Sequence, residues 1–380
     1  MAEAPMLGLY VHIPFCVRKC GYCDFNSYAG LEALVEPYLR AVALEAAVVG
    51  PKVFGRRVGT VYIGGGTPSV LHGPQMARLL RCVRSVFAVE PDAEVTVEVN
   101  PDTVSLAKLR RFRGLGVNRL SIGIQALEDA HLRRLGRVHT ARAALRSFAL
   151  ARDAGFANIN VDLIYAIPEQ SLADWRRTIQ RVTQLRPEHV SAYALTLEDG
   201  TPMHRDMAEG RIALPPEELE LAMAESAAEL LIAAGYEHYE VSNFALSGRR
   251  SRHNQIYWRS EEYVGLGAGA HGYLDGCRYG NVAQPSEYIE RAGAGRELAV
   301  LRERLSPAKA LGEALMLGLR MREGVDLSEL HRRFEIDPLQ RYRRELDDLR
   351  RRGLIGMSNG RLWVTRAGLH LLDEVTLRFV

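Results

Sequence analysis

Six short runs rich in β-branched and apolar residues stand along the first half of the chain, with stretches of helical period between them. The runs are LGLYVHI at 7–13, TVYIGG at 60–65, AEVTVEV at 93–99, NRLSIGI at 118–124, NINVDLIY at 158–165 and HVSAYAL at 189–195. Helical patterns fall near 31–49 and 74–87, at 105–113, within 129–154 and at 171–185. Each interval is long enough to return the chain to the start of a parallel neighbour, so the pattern predicts an α/β fold of six successive parallel strands with helices outside. A partial barrel and an open doubly wound sheet both satisfy it, and spacing alone does not choose between them.

Residues 196–300 are less regular, with a helix at about 216–234 before a Gly- and Tyr-rich region, and we read them as a continuation of one domain over 1–300. From Ser306-Pro307 onward the chain turns Leu- and Arg-rich and ends in helices around the short pair GMSNGRLWVT, which predicts a small winged-helix-like domain over 301–380. Its arginine-rich helix at 339–352 also holds Glu345, Asp347 and Asp348, the mark of a solvated docking face rather than a nucleic-acid reader. Charges nearly cancel, 49 basic against 46 acidic, so nucleic acid and anionic membrane are not expected partners. No run of about 18 apolar residues occurs, and MAEAPMLGLYVHIPFC lacks a basic leader before a long apolar stretch. The expected location is the cytoplasm, with no transmembrane segment.

Three of the five cysteines, Cys16, Cys20 and Cys23, crowd into a loop that follows the first strand. They are too close and too odd in number for a secreted disulfide framework and read as metal ligands. Three thiolates leave a vacancy. A [4Fe–4S] cube ordinarily takes four, so a three-Cys site exposes one iron to an exchangeable ligand. The competing reading is a structural zinc with Cys3His coordination, using His12. Cys82, in an apolar helical stretch, and Cys277, in the turn-like GCRYG, read as structural.

Polar residues recur at the C-terminal ends of the predicted strands, where barrels of parallel strands place their ligands. Gly64-Gly65-Gly66-Thr67 follows the second strand, Glu98 ends the third, Gln125 follows the fourth, and Asp162 lies inside an otherwise apolar strand. A carboxylate there is costly unless paired or hydrogen-bonded.

The run YVHIPFCVRKCGYCDFNSY resembles the cluster loop of the radical S-adenosylmethionine superfamily, in the branch similar to oxygen-independent coproporphyrinogen III oxidase. The resemblance spans nearly the whole chain and implies a partial (β/α)6 barrel. It also implies a [4Fe–4S] cluster on Cys16, Cys20 and Cys23, with S-adenosylmethionine chelating the open iron. By the same resemblance Tyr10, Tyr22, Gly65, Gly66, Thr67, Glu98, Gln125, Arg137 and Asp162 fall where that family contacts S-adenosylmethionine.

Two departures separate the chain from the decarboxylating oxidase: Phe25 stands where the oxidase carries a further Cys, and the first strand begins at about residue 7 without the oxidase's N-terminal extension. CDFNSY and RHNQIYW instead resemble the heme chaperone HemW branch with its HNxxYW signature, here His253, Asn254, Tyr257 and Trp258. The resemblance implies a heme carrier that delivers heme to apo-cytochromes or other respiratory heme proteins, with room for a homodimer and for a transient visit to the inner face of the membrane. An imidazole is a strong axial ligand, and Tyr and Trp offer flat apolar surface to a porphyrin. His271, in GLGAGAHGY, is a second candidate ligand. The alternative is the oxidase itself, or another radical enzyme acting on a porphyrin.

Overall fold

The computed structural model describes residues 6–380; the first five residues of the domain expected over 1–300, MAEAP, lie outside the described residues. Strand β1 (Leu7–Ile13) opens the fold, and the two-residue strands β2 (Phe15–Cys16) and β3 (Tyr28–Ala29) follow in the cysteine loop. Then come β4 (Arg57–Gly65), β5 (Ala88–Val99), β6 (Arg119–Gln125), β7 (Ile159–Tyr165) and β8 (His189–Ala194). Helices α1 (Val35–Val49), α2 (Gly73–Val86), α3 (Leu106–Gly114), α4 (Asp129–Arg134), α5 (Ala141–Asp153) and α6 (Leu172–Leu185) fill the crossovers.

Strand order decides what spacing left open. Strands β1, β4, β5, β6, β7 and β8 are parallel, and each lies beside its predecessor. A doubly wound sheet reverses direction at a switch point, whereas an order that advances one way coils the sheet with its helices outside. The sheet is not closed on itself, so the barrel is partial.

Beyond β8 the chain forms α7 (Pro202–Ala208), α8 (Glu217–Ala233), β9 (Glu237–His238), β10 (Asn243–Ala245) and α9 (Arg252–Trp258). It then returns to the opposite edge. Strand β11 (Tyr263–Leu266) pairs parallel to β1, and β12 (His271–Leu274), β13 (Cys277–Asn281) and β14 (Ala299–Arg304) continue the sheet antiparallel, with α10 (Pro285–Gly293) before β14. The region read from sequence as irregular therefore completes a 12-stranded sheet.

Period-two alternation sorts the strands. Leu9, Val11, Val61, Ile63, Val95, Val97, Leu120, Ile122, Val161 and Leu163 are buried in the main core. Their neighbours Tyr62, Glu98, Ser121, Gly123 and Asp162 line a cavity inside the barrel. Glu45 of α1 ties the added strands to the helical layer: its carboxylate accepts from Gly267 N at 2.7 Å, Tyr288 Oη at 2.5 Å and Asn281 Nδ2 at 2.5 Å. A second apolar core, from Leu311 to Phe379, gathers α11 (Pro307–Gly318), later helices and a three-stranded sheet. Within its arginine-rich segment Arg351 pairs with Asp348, and Arg352 with Glu374. Among the described residues no helix is long and apolar enough to cross a membrane.

Candidate functional site

The cysteine loop is pinned at its base by the β2–β3 ladder, Phe15 beside Tyr28 and Cys16 beside Ala29. Inside it Cys23 N donates to Cys20 O at 3.2 Å, and Lys19 Nζ donates to Phe25 O at 2.9 Å. A short loop so tied holds its thiols in place before any ligand arrives. All three face a cavity of about 330 Å3 at the C-terminal mouth of the barrel.

The glycine turn after β4 closes on this loop. A Cβ on Gly66 would stand 2.8 Å from Phe15 O and 3.1 Å from Cys16 Sγ, so a side chain there collides with the cluster loop. Gly65 adopts φ +113, a conformation that favours glycine, and turns its N–H toward Glu98. Thr67 Oγ1 donates to Cys16 Sγ at 3.4 Å and accepts from Asn100 Nδ2 at 3.0 Å. Arg137 is locked by Asn100 Oδ1 at 2.8 Å and Gly123 O at 2.7 Å, which leaves Nη1 3.5 Å from Cys20 Sγ.

Three acidic or amide groups complete the lining. Glu98 accepts from Tyr62 Oη at 2.8 Å and from Gly65 N at 3.0 Å, and burial, reinforced by Asp162, raises its carboxyl to about 7. Asp162 accepts from Ser121 Oγ at 2.8 Å and Asn160 Nδ2 at 2.7 Å, and burial raises it as well. Gln125 sits at φ 66, where the β6–β7 register shifts, and that kink aims its side chain into the cavity. Burial raises the Tyr22 hydroxyl beside the thiols.

These donors fit a [4Fe–4S] cluster better than zinc. Two sulfurs on one zinc, each at about 2.3 Å, lie within about 4.6 Å of each other. Among the described residues the one group of three ligand atoms within 4.8 Å is Glu128, His131 and Asp174, so the three sulfurs are spread wider than one ion gathers them. His12 is also unavailable as a fourth zinc ligand, since Nδ1 meets Tyr10 Oη at 2.9 Å and Nε2 meets Asn26 O at 2.8 Å. Burial raises the Cys16 and Cys23 thiols, so iron must displace their protons on binding.

The structure thus gathers Cys16, Cys20, Cys23, Tyr22, Gly65, Gly66, Thr67, Glu98, Gln125, Arg137 and Asp162 around one cavity. Tyr10 stands apart, in an adjoining cavity of about 310 Å3 that shares Phe25, Gly65 and Glu98 and includes Tyr257, Tyr263 and His271. Asn100, Ser121 and Tyr193 also line the main cavity and were not anticipated. Asn100 follows the end of β5, two residues beyond Glu98, and Ser121 and Tyr193 have the inward phase of their strands, which was the signal that could have found them.

The heme set expected at His253, Asn254, Tyr257 and Trp258 is not assembled as an open site. All four lie on α9, and His253 is 1% exposed. Its Nδ1 meets Thr60 Oγ1 at 2.7 Å, its Nε2 meets Tyr257 Oη at 2.7 Å, and its ring stacks on Tyr62. Burial and then the Arg119 charge press its imidazole down to about 3. Both ring nitrogens are occupied, and neither is presented to an iron in this conformation. Trp258 packs under Arg320 and against Tyr239, Ala245 and Met321. Asn254 donates its backbone N–H to Ser251 Oγ at the helix start. His271, by contrast, is exposed.

Comparison with known proteins agrees with this architecture. A family model described as the radical SAM superfamily matches residues 10–182, and one described as the HemN C-terminal domain matches 305–371. The chain is 38% identical to heme chaperone HemW of Bacillus subtilis, covering 97% of this chain and 98% of that protein. It is 40% identical to heme chaperone HemW of Escherichia coli over 72% of this chain and 71% of that one. Coproporphyrinogen III oxidase (HemN) from Escherichia coli, a radical SAM enzyme, superposes with a TM-score of 0.86 at 24% identity, covering 98% of this chain and 90% of that one. That likeness shows the shared fold. From these matches, one of them nearly full-length, the chain belongs to the radical SAM superfamily, on the HemW branch of its oxygen-independent coproporphyrinogen III oxidase-like family.

Proposed function

We propose that this protein is a heme chaperone that holds a [4Fe–4S] cluster on Cys16, Cys20 and Cys23, takes S-adenosylmethionine in the adjoining cavity and delivers heme to respiratory apo-cytochromes. The observation that carries the reading is the likeness to relatives named heme chaperone, which extends over nearly the full length of both chains. The cavity supports it chemically. When bound, a reduced cluster supplies an electron to the sulfonium of S-adenosylmethionine.

The chain's own residues bind and orient. Arg137, whose charge is held against Cys20, suits the methionyl carboxylate, and its anchors on Asn100 and Gly123 keep it from drifting. Carbonyls of the Gly65–Gly66 turn suit the ammonium, while Glu98, Gln125 and Asp162 suit the ribose hydroxyls. Tyr10 and Tyr257, in the adjoining cavity, extend this surface. Phe25, 63% exposed at the mouth, puts an apolar ring where the oxidase pattern has a thiol. This removes a group that the oxidase reaction is associated with and leaves S-adenosylmethionine a positioning or redox-sensing ligand. Delivery takes place in the cytoplasm, at the inner face of the membrane when the acceptor is a membrane cytochrome.

The decisive experiment is anaerobic reconstitution followed by parallel assays on one preparation. The expected result is about four irons per chain, bound heme, and no protoporphyrinogen formed from coproporphyrinogen III with S-adenosylmethionine and reductant. Sustained decarboxylation of coproporphyrinogen III would overturn the chaperone reading in favour of an oxidase.

A further inference from the structure

Heme is a flat apolar ring with two carboxylates on one edge, so its site needs apolar walls, cations at one rim and a ligand for iron. The cavity beside His271 has tyrosines, but its lining includes the Glu98 carboxylate and neither lysine nor arginine. Propionates there would meet a carboxyl and, among the described residues, no cation. His253 is closed off by its two hydrogen bonds. The cluster cavity, at about 330 Å3, is already committed to S-adenosylmethionine in our reading.

A larger groove of about 770 Å3 lies elsewhere, between the outer face of α1 and the sheet edge formed by β13 and β14. Leu44 and Val48, one helical turn apart, make its exposed apolar wall on α1. Opposite them, Cys277 and Tyr279 share one face of β13, and β14 places Arg304 beside Cys277 and Arg302 beside Tyr279. Two arginines separated by two strand positions stand about 7 Å apart at their backbones. Lys52 extends the basic rim and has no hydrogen-bond or ion-pair partner among the described residues, whereas Arg296 is paired with Glu290 at 2.6 Å.

The opposing charges are few. Glu297 pairs with Arg302 at 2.7 Å, Asp275 also lines the groove, and among the described residues Arg304 donates only to the Asp275 carbonyl, at 3.0 Å. Glu45 also reaches the lining, but its oxygens are taken by Gly267, Tyr288 and Asn281. Of the iron-ligand types present, the Tyr279 hydroxyl is engaged with Gly265 at 3.0 Å, whereas the Cys277 thiol makes a single long contact with Arg278 O at 3.5 Å.

Resting on the heme-chaperone reading, we propose that this groove is the cargo site, with the heme ring against Leu44 and Val48, its propionates on Arg302 and Arg304, and Cys277 facing its iron. On binding ferric heme an Fe–S bond forms and the thiol proton leaves to solvent; iron keeps its oxidation state. The site lies apart from the cluster cavity and shares no lining residue with it. Cargo could then enter and leave without displacing S-adenosylmethionine.

The test titrates hemin into cluster-reconstituted full-length protein, following heme by difference absorption and by the ferric heme EPR signal. Replacing both Arg302→Glu and Arg304→Glu should weaken heme binding about tenfold or more. The milder Arg302→Gln with Arg304→Gln should give a smaller loss in the same direction, and Cys277→Ser should change the EPR and Soret signatures. Iron content and S-adenosylmethionine binding should stay at wild-type levels in all of them. If wild-type protein binds heme and these variants match it in affinity and spectrum while His253→Ala loses both, the groove is not the cargo site. If wild-type protein takes up no heme, the chaperone reading itself fails, and this inference with it.

Discussion

Glu98 accepts the Gly65 N–H at 3.0 Å, so the acidic end of β5 and the glycine turn after β4 form one wall of the cluster cavity. Removing the carboxylate in Glu98→Ala, or its neighbour in Asp162→Ala, should weaken S-adenosylmethionine binding roughly ten- to a hundredfold, the value of a lost hydrogen bond to a charged group. The cluster should still assemble. Equilibrium binding to reconstituted protein checks this, and wild-type affinity in both variants would remove them from the site.

The Arg137 guanidinium, 3.5 Å from Cys20 Sγ, puts a fixed positive charge against one thiolate. Net charge and hydrogen bonds to sulfur set the potential of an iron–sulfur centre. Arg137→Gln should therefore make the cluster harder to reduce, moving its potential negative by tens of millivolts in an anaerobic redox titration. A positive shift would contradict the placement.

Gly66 has no room for a side chain between Phe15 O and Cys16 Sγ. A Gly66→Val variant should fold, since the barrel core does not include this turn, but recover substantially less iron on reconstitution. Iron per chain and far-ultraviolet circular dichroism separate the two effects. Full iron loading would show that the turn can move away from the cysteine loop.

Burial lifts the Glu45 carboxyl from its ordinary value of 4.5 to about 7. The folded chain then holds a proton that the unfolded chain releases earlier, so the folded state binds more protons between those two values. Its contribution to stability is fully present below about pH 4.5 and is lost as pH rises through about 7, a change of about 3 kcal/mol at most. Urea unfolding of wild type and Glu45→Gln across this range should show the wild type losing ground as pH rises, then a constant difference above about pH 8. A pH-independent difference would mean that Glu45 is ionised throughout.

Much of the barrel was legible because its strands obey a strict alternation. The strand expected at 60–65 runs from Arg57, and the one expected at 93–99 begins at Ala88: Arg57 pairs with Ala88 and Val58 with Val89, but Gly59 and the Glu90-Pro91-Asp92 run interrupt the alternation that would announce these first residues. Strands β11 to β13 were hidden by glycines that read as turns. There glycine serves close packing: a Cβ on Gly265 would fall 1.8 Å from His271 O, and one on Gly272 would fall 2.2 Å from the Tyr279 ring. Glu98 and Gln125 at strand ends and Asp162 inside its strand drew notice by their phase, and the family resemblance then named them as contacts. The closed state of His253 was not legible without its helix. Once α9 is recognised, a tyrosine four residues on lies over the imidazole and closes its second nitrogen.

Whether heme is cargo is read most directly from its transfer to an acceptor. Reconstituted protein loaded with one equivalent of heme is mixed anaerobically with an apo-cytochrome, and the acceptor's own absorption bands are followed in time, with and without S-adenosylmethionine. Heme should move to the acceptor while the cluster's iron stays with the donor protein. Heme that is never bound, or that stays bound with no cytochrome formed, would contradict the heme-chaperone reading.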